Sequence, residues 1–240
     1  MKRLGFLLVL FSFLLACKKD YSKINHPYKF IPNETSAVIQ VNELNDFINS
    51  IENHEILSGI YNKELKNVSN VLKNLNTTQQ VFIAFTESAQ NQSDYLILTK
   101  NDSVLFVVDS ISNSLSESLV DFKIEKTQID SIIVYHKVIG NIFAGSNNLE
   151  VLKKLNLKKE NTELSKLIET SDKKSVASIV FKSDSPDYSK LLFLNFGNKQ
   201  INTNYSILDL NYTSKSLQYN GILSSNDSIL DYLSQQIYFL

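Results

Sequence analysis

Short apolar runs typical of strands alternate along the chain with runs whose apolar residues have helical spacing. Residues 37–41 form a nearly continuous apolar and β-branched run, which indicates a buried strand. Asn42 follows directly and can cap a helix. In that predicted helix the apolar residues recur at intervals of three and four positions: Leu44, Phe47, Ile48 and Ile51.

The same order, a strand followed by a polar turn and a helix, recurs along the chain. The predicted strands and helices are 104–108 with 111–119, 141–144 with 149–155, 175–181 with 188–194, and 217–223 with 229–237. Between these units, a helix is predicted over 65–75 and strands over 81–86, 95–99, 122–126 and 132–137. Short polar links between strands favour antiparallel pairing. We therefore expect an α+β fold with a mixed, mainly antiparallel sheet and helices packed on one face.

An internal similarity suggests that the chain contains two related halves. Residues 176–181, with the helix predicted after them, are similar to residues 37–51. We therefore divide the body into a first α+β half, residues 31–172, and a second half, residues 173–240. A body of one organised unit without a repeat is the alternative.

Composition narrows the classes of function. The 240 residues carry 24 Lys and Arg against 25 Asp and Glu, which argues against a nucleic-acid partner recruited by charge. Hydrophobic residues make up 43% of the chain, enough for a substantial core. A single Cys excludes an internal disulfide and a multi-cysteine zinc site, and three scattered His disfavour a His-rich metal site.

The N-terminus has the pattern of a bacterial lipoprotein signal. Lys2 and Arg3 precede the uncharged apolar run 4–16, which is too short to span a bilayer and is followed by Cys17. Residues 14–17 (Leu-Leu-Ala-Cys) resemble the lipobox. The resemblance implies a diacylglycerol thioether on Cys17, cleavage after Ala16 and acylation of the new amine. An uncleaved anchor with an incidental Cys is the alternative.

Lipidation would set the location of the protein. Residues 1–16 would be the signal peptide, and residues 17–30 the lipidated Cys with a polar tether. Several acyl chains hold a protein stably on a membrane. Lys18 stands where an Asp would resemble an inner-membrane retention signal. We therefore expect an outer-membrane lipoprotein of the cell envelope and leave the leaflet open.

The start of the body resembles an uncharacterised family of bacterial envelope proteins. In that family a Pro and a Thr/Ser-Ala step lead into a hydrophobic strand and a helix, and residues 31–42 (IPNETSAVIQVN) match this opening. The resemblance implies an α+β fold from residue 31 onwards and supplies no catalytic residue.

The C-terminal residues are unusually apolar. Tyr238, Phe239 and Leu240 follow the predicted helix 229–237 without a polar tail. Either these side chains dock into the core, or the second half is incomplete and the natural chain continues. The family resemblance favours continuation, because its members extend further.

Motifs that carry chemistry are nearly absent from the sequence. We find no nucleophile elbow, phosphate-binding Gly-rich loop or zinc-protease motif, and we predict no catalytic residue, metal or cofactor. Residues 171–174 formally match Ser-x-x-Lys but are interpreted as a turn. Three histidines are interpreted as surface or filler residues: His26, His54 and His136. Four carboxylates beside strands are interpreted as cap or turn residues: Asp94, Asp109, Asp130 and Asp209.

Aromatic residues are frequent in the last third of the chain. This cluster consists of Tyr188, Phe193, Phe196, Tyr205, Tyr212 and Tyr219. It could line an apolar groove, although a core role for aromatics in strands is the simpler interpretation.

Three classes of function follow from these observations. The first is a non-enzymatic envelope lipoprotein, anchored to the membrane through Cys17, whose body is a binding or assembly module. The second is a carrier or sensor of an apolar ligand, which requires a continuous apolar cavity. The third is a hydrolase whose site the sequence does not reveal.

Overall fold

We analysed a computed structural model of the chain. It describes residues 26–53, 63–87, 93–101, 105–106, 115–119, 123–155, 162–182, 203–213, 216–225 and 230–237. Cys17, Ala16, His54 and Asp109 lie outside the described residues, as do the predicted helix 188–194 and the apolar end 238–240.

The described strands form a single sheet of 11 strands in the order β11-β10-β9-β8-β1-β2-β3-β7-β6-β5-β4. Every pair of neighbouring strands is antiparallel. The strands are β1 (Thr35–Val41), β2 (Val81–Glu87), β3 (Ser93–Lys100), β4 (Leu115–Leu119), β5 (Ile124–Ile129), β6 (Ile132–Ile139), β7 (Ile142–Ser146), β8 (Ala177–Lys182), β9 (Thr203–Thr213), β10 (Ser216–Ser225) and β11 (Leu230–Ile237).

The described part of the chain also contains four α-helices and a 3₁₀ turn. They are α1 (Leu44–Asn53), α2 (Lys63–Leu72), α3 (Leu149–Lys154), α4 (Thr162–Thr170) and the 3₁₀ turn Pro27–Phe30. The side chain of Asn148 caps α3 by accepting a hydrogen bond from the Glu150 backbone N–H at 2.9 Å.

The sheet has a hydrophobic core on each face, because side chains of a strand point alternately to opposite sides. The first face carries Ile39, Ile83 and Ile97 and packs against α1 and α2. The second face carries the residues one position away on the same strands: Val38, Phe82 and Leu98. These pack against the 3₁₀ turn, α3 and α4.

The two predicted halves meet inside this sheet, between β1 and β8. Their pairing places Ile39 opposite Ile179, with Ala37 opposite Phe181 and Val41 opposite Ala177. Ile39 and Ile179 are equivalent positions in the similarity between residues 37–41 and 177–181. Two related halves meeting about a two-fold axis would have this register, although the repeat itself stays a prediction.

The predicted α+β class with a mainly antiparallel sheet is confirmed. One part of that prediction is wrong, because helices pack on both faces of the sheet. Strand β1 explains this difference: all seven of its residues are buried, so each face of the sheet needs a covering layer.

Two predicted helices are also wrong. Residues 230–237 form β11, which pairs with β10 along its length, and residues 115–119 form β4, which pairs with β5. Leu230, Leu233 and Ile237 do have helical spacing, but pairing with the edge of β10 determines the structure of this segment. Residues 111–114 of the other predicted helix lie outside the described residues.

The polar tether predicted to extend through residue 30 ends earlier. Pro27 begins the 3₁₀ turn, and Tyr28 and Phe30 are buried in the core of the second face. This segment packs on the body because burial of its aromatic rings against the apolar second face is favourable.

Candidate functional site

A cavity of about 410 Å³ lies at one edge of the second face. This volume is within the range of about 300–1,000 Å³ that small-molecule sites occupy. Its lining comes from distant parts of the chain: His26, Pro27, Tyr28, Gln40, Gln79, Gln80, Phe82, Lys100, Ile168, Glu169 and Lys173. The sheet brings them together because β1, β2 and β3 are neighbours, and α4 packs on the same face of the sheet.

Gln40 is the buried polar residue at the floor of this cavity. Its Nε2 donates to Asn42 Oδ1 at 3.1 Å, and its Oε1 accepts from Ser171 Oγ at 3.1 Å. Gln80 lies directly before β2, and its Nε2 donates to the same Asn42 oxygen at 2.8 Å. Because both amides bind Asn42, their orientation is fixed, and a fixed polar floor favours a ligand with matching polar groups.

Asn42 ties this floor to the turn between α4 and β8. Its Nδ2 donates to the carbonyl oxygens of Ser175 at 2.9 Å and Asp172 at 3.2 Å. The sequence predicted that Asn42 caps α1. Its side chain instead binds the two glutamine amides and the carbonyls of the α4–β8 turn, so the prediction is not supported. Gln40, Asn42 and Ser175 are buried, and their hydrogen bonds join the two predicted halves.

The wall of the cavity is formed by the segment that enters the body from the N-terminal side. Tyr28 OH donates to Glu169 Oε1 at 2.8 Å, which fixes the ring against α4. The Tyr28 ring also packs edge-on with the Phe82 ring at a centroid distance of 5.8 Å, and the His26 ring stacks on Tyr28 at 5.1 Å. The wall is therefore aromatic, with a carboxylate at its rim.

Two lysines carry the positive charge of the cavity. Lys100 is half-buried at the end of β3, and Lys173 is exposed in the turn after α4. Neither ammonium group has an ion-pair or hydrogen-bond partner among the described residues. The Glu169 carboxylate is the acidic group of the lining and is bound by Tyr28.

His136 lies in a second polar cluster, on the first face. Thr127 Oγ1 is 2.9 Å from His136 Nε2, and Glu125 Oε2 is 3.8 Å from the same nitrogen. In a catalytic triad the carboxylate binds the ring nitrogen that the nucleophile does not. Both contacts here use Nε2, so the arrangement is not that of a triad.

The surroundings of His136 indicate a packing role. Its ring lies 4.9 Å from the Phe106 ring and 5.8 Å from the Phe143 ring. Burial lowers the pKa of His136, and the nearby Glu125 carboxylate opposes that shift. The buried ring is therefore favoured in its neutral form.

The predicted turn and cap residues have structural partners. Ser171 Oγ donates to the Ile168 carbonyl at 2.8 Å, as expected for a turn at the end of α4 and not for a nucleophile. Asp94 is not a turn residue but the second residue of β3, and its Oδ2 accepts from Asn148 Nδ2 at 2.7 Å. Asp130 lies in the turn between β5 and β6 and has a positive φ of 52°. The described residues contain no group of three or more side chains that could hold a metal ion.

The prediction that Asp209 flanks a strand is wrong. It lies inside β9 and accepts from Ser178 Oγ at 2.5 Å and from the Asp172 N–H at 3.1 Å. Burial raises the pKa of Asp209 above its ordinary value, while these hydrogen bonds oppose the shift. It holds the α4–β8 turn against the sheet.

The described members of the predicted aromatic cluster do not share one groove. Tyr205 belongs to the core of the second face, whereas Tyr219 is buried in the first face and Tyr212 packs against it. They therefore line opposite sides of the sheet. Tyr188, Phe193 and Phe196 lie outside the described residues.

Sequence reasoning did not identify the cavity. Gln40, Lys100 and Lys173 are far apart in the chain and belong to no motif. The one available signal was Gln40 itself, a polar residue inside an otherwise apolar strand.

The comparisons with known proteins support the fold alone. No protein-family model and no curated protein matches the chain. Crystal form I of TP0453 matches with a TM-score of 0.51 at 12% identity, over 88% of this chain and 83% of that chain. Crystal forms III and IV match with TM-scores of 0.48 and 0.47 at 14% and 15% identity, over 85% and 82% of this chain and 82% and 80% of theirs. Among the described residues, no helix is both long and apolar enough to span a membrane.

Proposed function

We propose that this protein is a non-enzymatic lipoprotein of the cell envelope, a membrane-tethered module that binds a small polar ligand in the second-face cavity. The cavity carries this proposal, because its floor has amide groups held in fixed orientation and its lysines have no protein partner among the described residues. Its lining contains more polar than apolar side chains, which favours a polar ligand over the apolar ligand of a lipid-type carrier.

The position of the cavity fits a tethered module. His26 and Tyr28, which form its wall, lie in the last part of the predicted tether, residues 17–30. His26 lies nine positions after Cys17 in the sequence, so an extended chain places the wall within about 30 Å of the lipidated residue. The ligand would then be bound close to the membrane surface.

Lipidation is tested by changing Cys17 to Ser. We expect the wild-type chain to fractionate with membranes at its processed mass, and Cys17→Ser to be uncleaved and without acyl chains. Mass spectrometry of the intact N-terminus measures both. A Cys17→Ser protein that remains membrane-bound at the mature mass would contradict the lipid anchor.

Ligand binding is tested by filling the cavity. Gln79 is half-buried in the lining, so Gln79→Trp should place a large ring in the cavity. The matched control is Gln128→Trp, since Gln128 is half-buried on β5 outside the lining. Native mass spectrometry of the full chain in mild detergent should show a small bound molecule in wild type and control and its loss in Gln79→Trp. Equal occupancy in all three would contradict a site in this cavity.

A further inference from the structure

We infer that the ligand of the second-face cavity is a small polyol that carries a phosphate or carboxylate group, bound through Lys100 and Lys173. This inference rests on the proposed function and names the chemistry of its ligand. Two lysines line the same cavity, and neither is paired with a carboxylate among the described residues.

The charges of the cavity favour an anion. Lys100 and Lys173 contribute two positive charges, and Glu169 contributes one negative charge whose Oε1 already accepts from Tyr28 OH. Lys100 is half-buried, and a partly buried charge attracts an opposite charge more strongly than one in bulk water does. An ammonium group also binds a single oxyanion as a point charge, without the planar geometry that Arg requires.

The other residues of the lining are the reason for proposing a ligand with several hydroxyl groups. Gln79, Gln80 and Gln40 supply amide donors and acceptors, and Gln40 and Gln80 are held in place by Asn42. Amide groups bind the hydroxyl groups of a polyol, which both donate and accept. Phe82 and Tyr28 add an apolar surface against which C–H groups can pack. The lining therefore offers ammonium groups for an anion together with amide groups for hydroxyls.

Phosphate and carboxylate polyols have two sources near a membrane, free metabolites and lipid headgroups. Both present the same chemistry to Lys100 and Lys173. Glycerol 3-phosphate represents the free source, and nanodiscs of phosphatidylglycerol, compared with phosphatidylcholine, represent the headgroup. Glucuronate tests the carboxylate, and glycerol is the uncharged control.

The test measures binding of these probes to the full chain in detergent by titration calorimetry. Lys100→Gln should weaken glycerol 3-phosphate binding about tenfold and the more exposed Lys173→Gln about threefold, because each removes one charge-assisted contact. Lys174→Gln is the matched control, since Lys174 belongs to the same turn but not to the lining, and should bind like wild type. Glu169→Gln keeps an acceptor for Tyr28 and should tighten binding by removing a like charge.

Thermal unfolding of each variant shows whether the fold is retained, so that a loss of binding is assigned to the lost charge. Equal affinity of Lys100→Gln and Lys174→Gln, or equal binding of glycerol and glycerol 3-phosphate, would overturn the inference. A neutral molecule in the native complex that Gln79→Trp removes would also overturn it while leaving the proposed function in place. An empty cavity together with no anion binding would overturn both.

Discussion

The two faces of the sheet are built from the same strands but have different cores. On β2, Ile83 and Phe85 point into the continuous apolar core beneath α1 and α2, whereas Phe82 points toward the cavity. On β1, Ile39 belongs to the first face and Gln40 to the floor of the cavity. The first face is therefore an apolar core, whereas the second face combines an apolar core with polar groups that line a cavity.

The largest effect is expected from removing aromatic rings on opposite faces of β2. Phe85→Ala empties a closed core and should lower the free energy of unfolding by about 3–5 kcal/mol. Phe82→Ala should cost less, because its ring borders an existing cavity and the new space opens to water. Chemical denaturation of both variants measures the difference. A greater loss for Phe82→Ala would contradict the assignment of the faces.

The next effect concerns the network beneath the cavity. Asn42→Ala leaves the Gln40 and Gln80 amides and the carbonyl of Ser175 without their partner and should cost about 2–3 kcal/mol. The control Asn74→Ala removes a hydrogen bond from Nδ2 to the Asn70 carbonyl within one helical region and should cost less than about 1 kcal/mol. Equal costs would show that the network does not join the two halves.

A smaller effect is expected at His136 as the pH falls. Because burial lowers its pKa in the folded protein, the unfolded chain binds the proton more readily below about pH 6.5. This contribution is therefore present at higher pH and is lost as the pH falls from about 6.5 through the folded-state pKa. Urea unfolding between pH 7.5 and 5.5 should show a smaller decrease in stability for His136→Gln than for wild type. An identical pH dependence in the two proteins would contradict the neutral, buried ring.

The smallest expected effect is a gain in stability on removal of a buried hydroxyl group. The Tyr95 hydroxyl is buried on the first face and has no hydrogen-bond partner among the described residues, and burial raises its pKa. Tyr95→Phe should therefore raise the free energy of unfolding by about 1 kcal/mol, since it removes an unpaired polar group. Thermal and urea unfolding measure this gain. A loss of stability would mean that the hydroxyl makes a stabilising contact.

The fold was predictable where local pattern and tertiary structure agree. The buried run 37–41 and the spacing from Leu44 to Ile51 predicted β1 and α1, and the helix predicted over 149–155 corresponds to α3. Strand β9 was not predicted, although Tyr205, Ile207 and Leu208 give it strand-forming side chains. Strand β11 was predicted as a helix, because only pairing with β10 distinguishes the two structures.

The cavity could not be predicted from local sequence for a different reason. Its lysines lie 73 positions apart in the sequence, and Gln40 and Gln80 are joined only through Asn42. Each of these residues is an ordinary surface type in isolation. They are brought together by the strand order, which puts β1, β2 and β3 side by side, and by the packing of α4 on the same face.

The most direct test of the binding cavity is a crystal structure of the full chain, extracted from its native membrane in mild detergent. The account predicts density for a small molecule on the second face, with its charged group near Lys100 and its polar body near Gln40 and Gln80. The first face should be filled by protein side chains alone. A cavity filled by neighbouring side chains, or a ligand bound on the first face, would contradict the account.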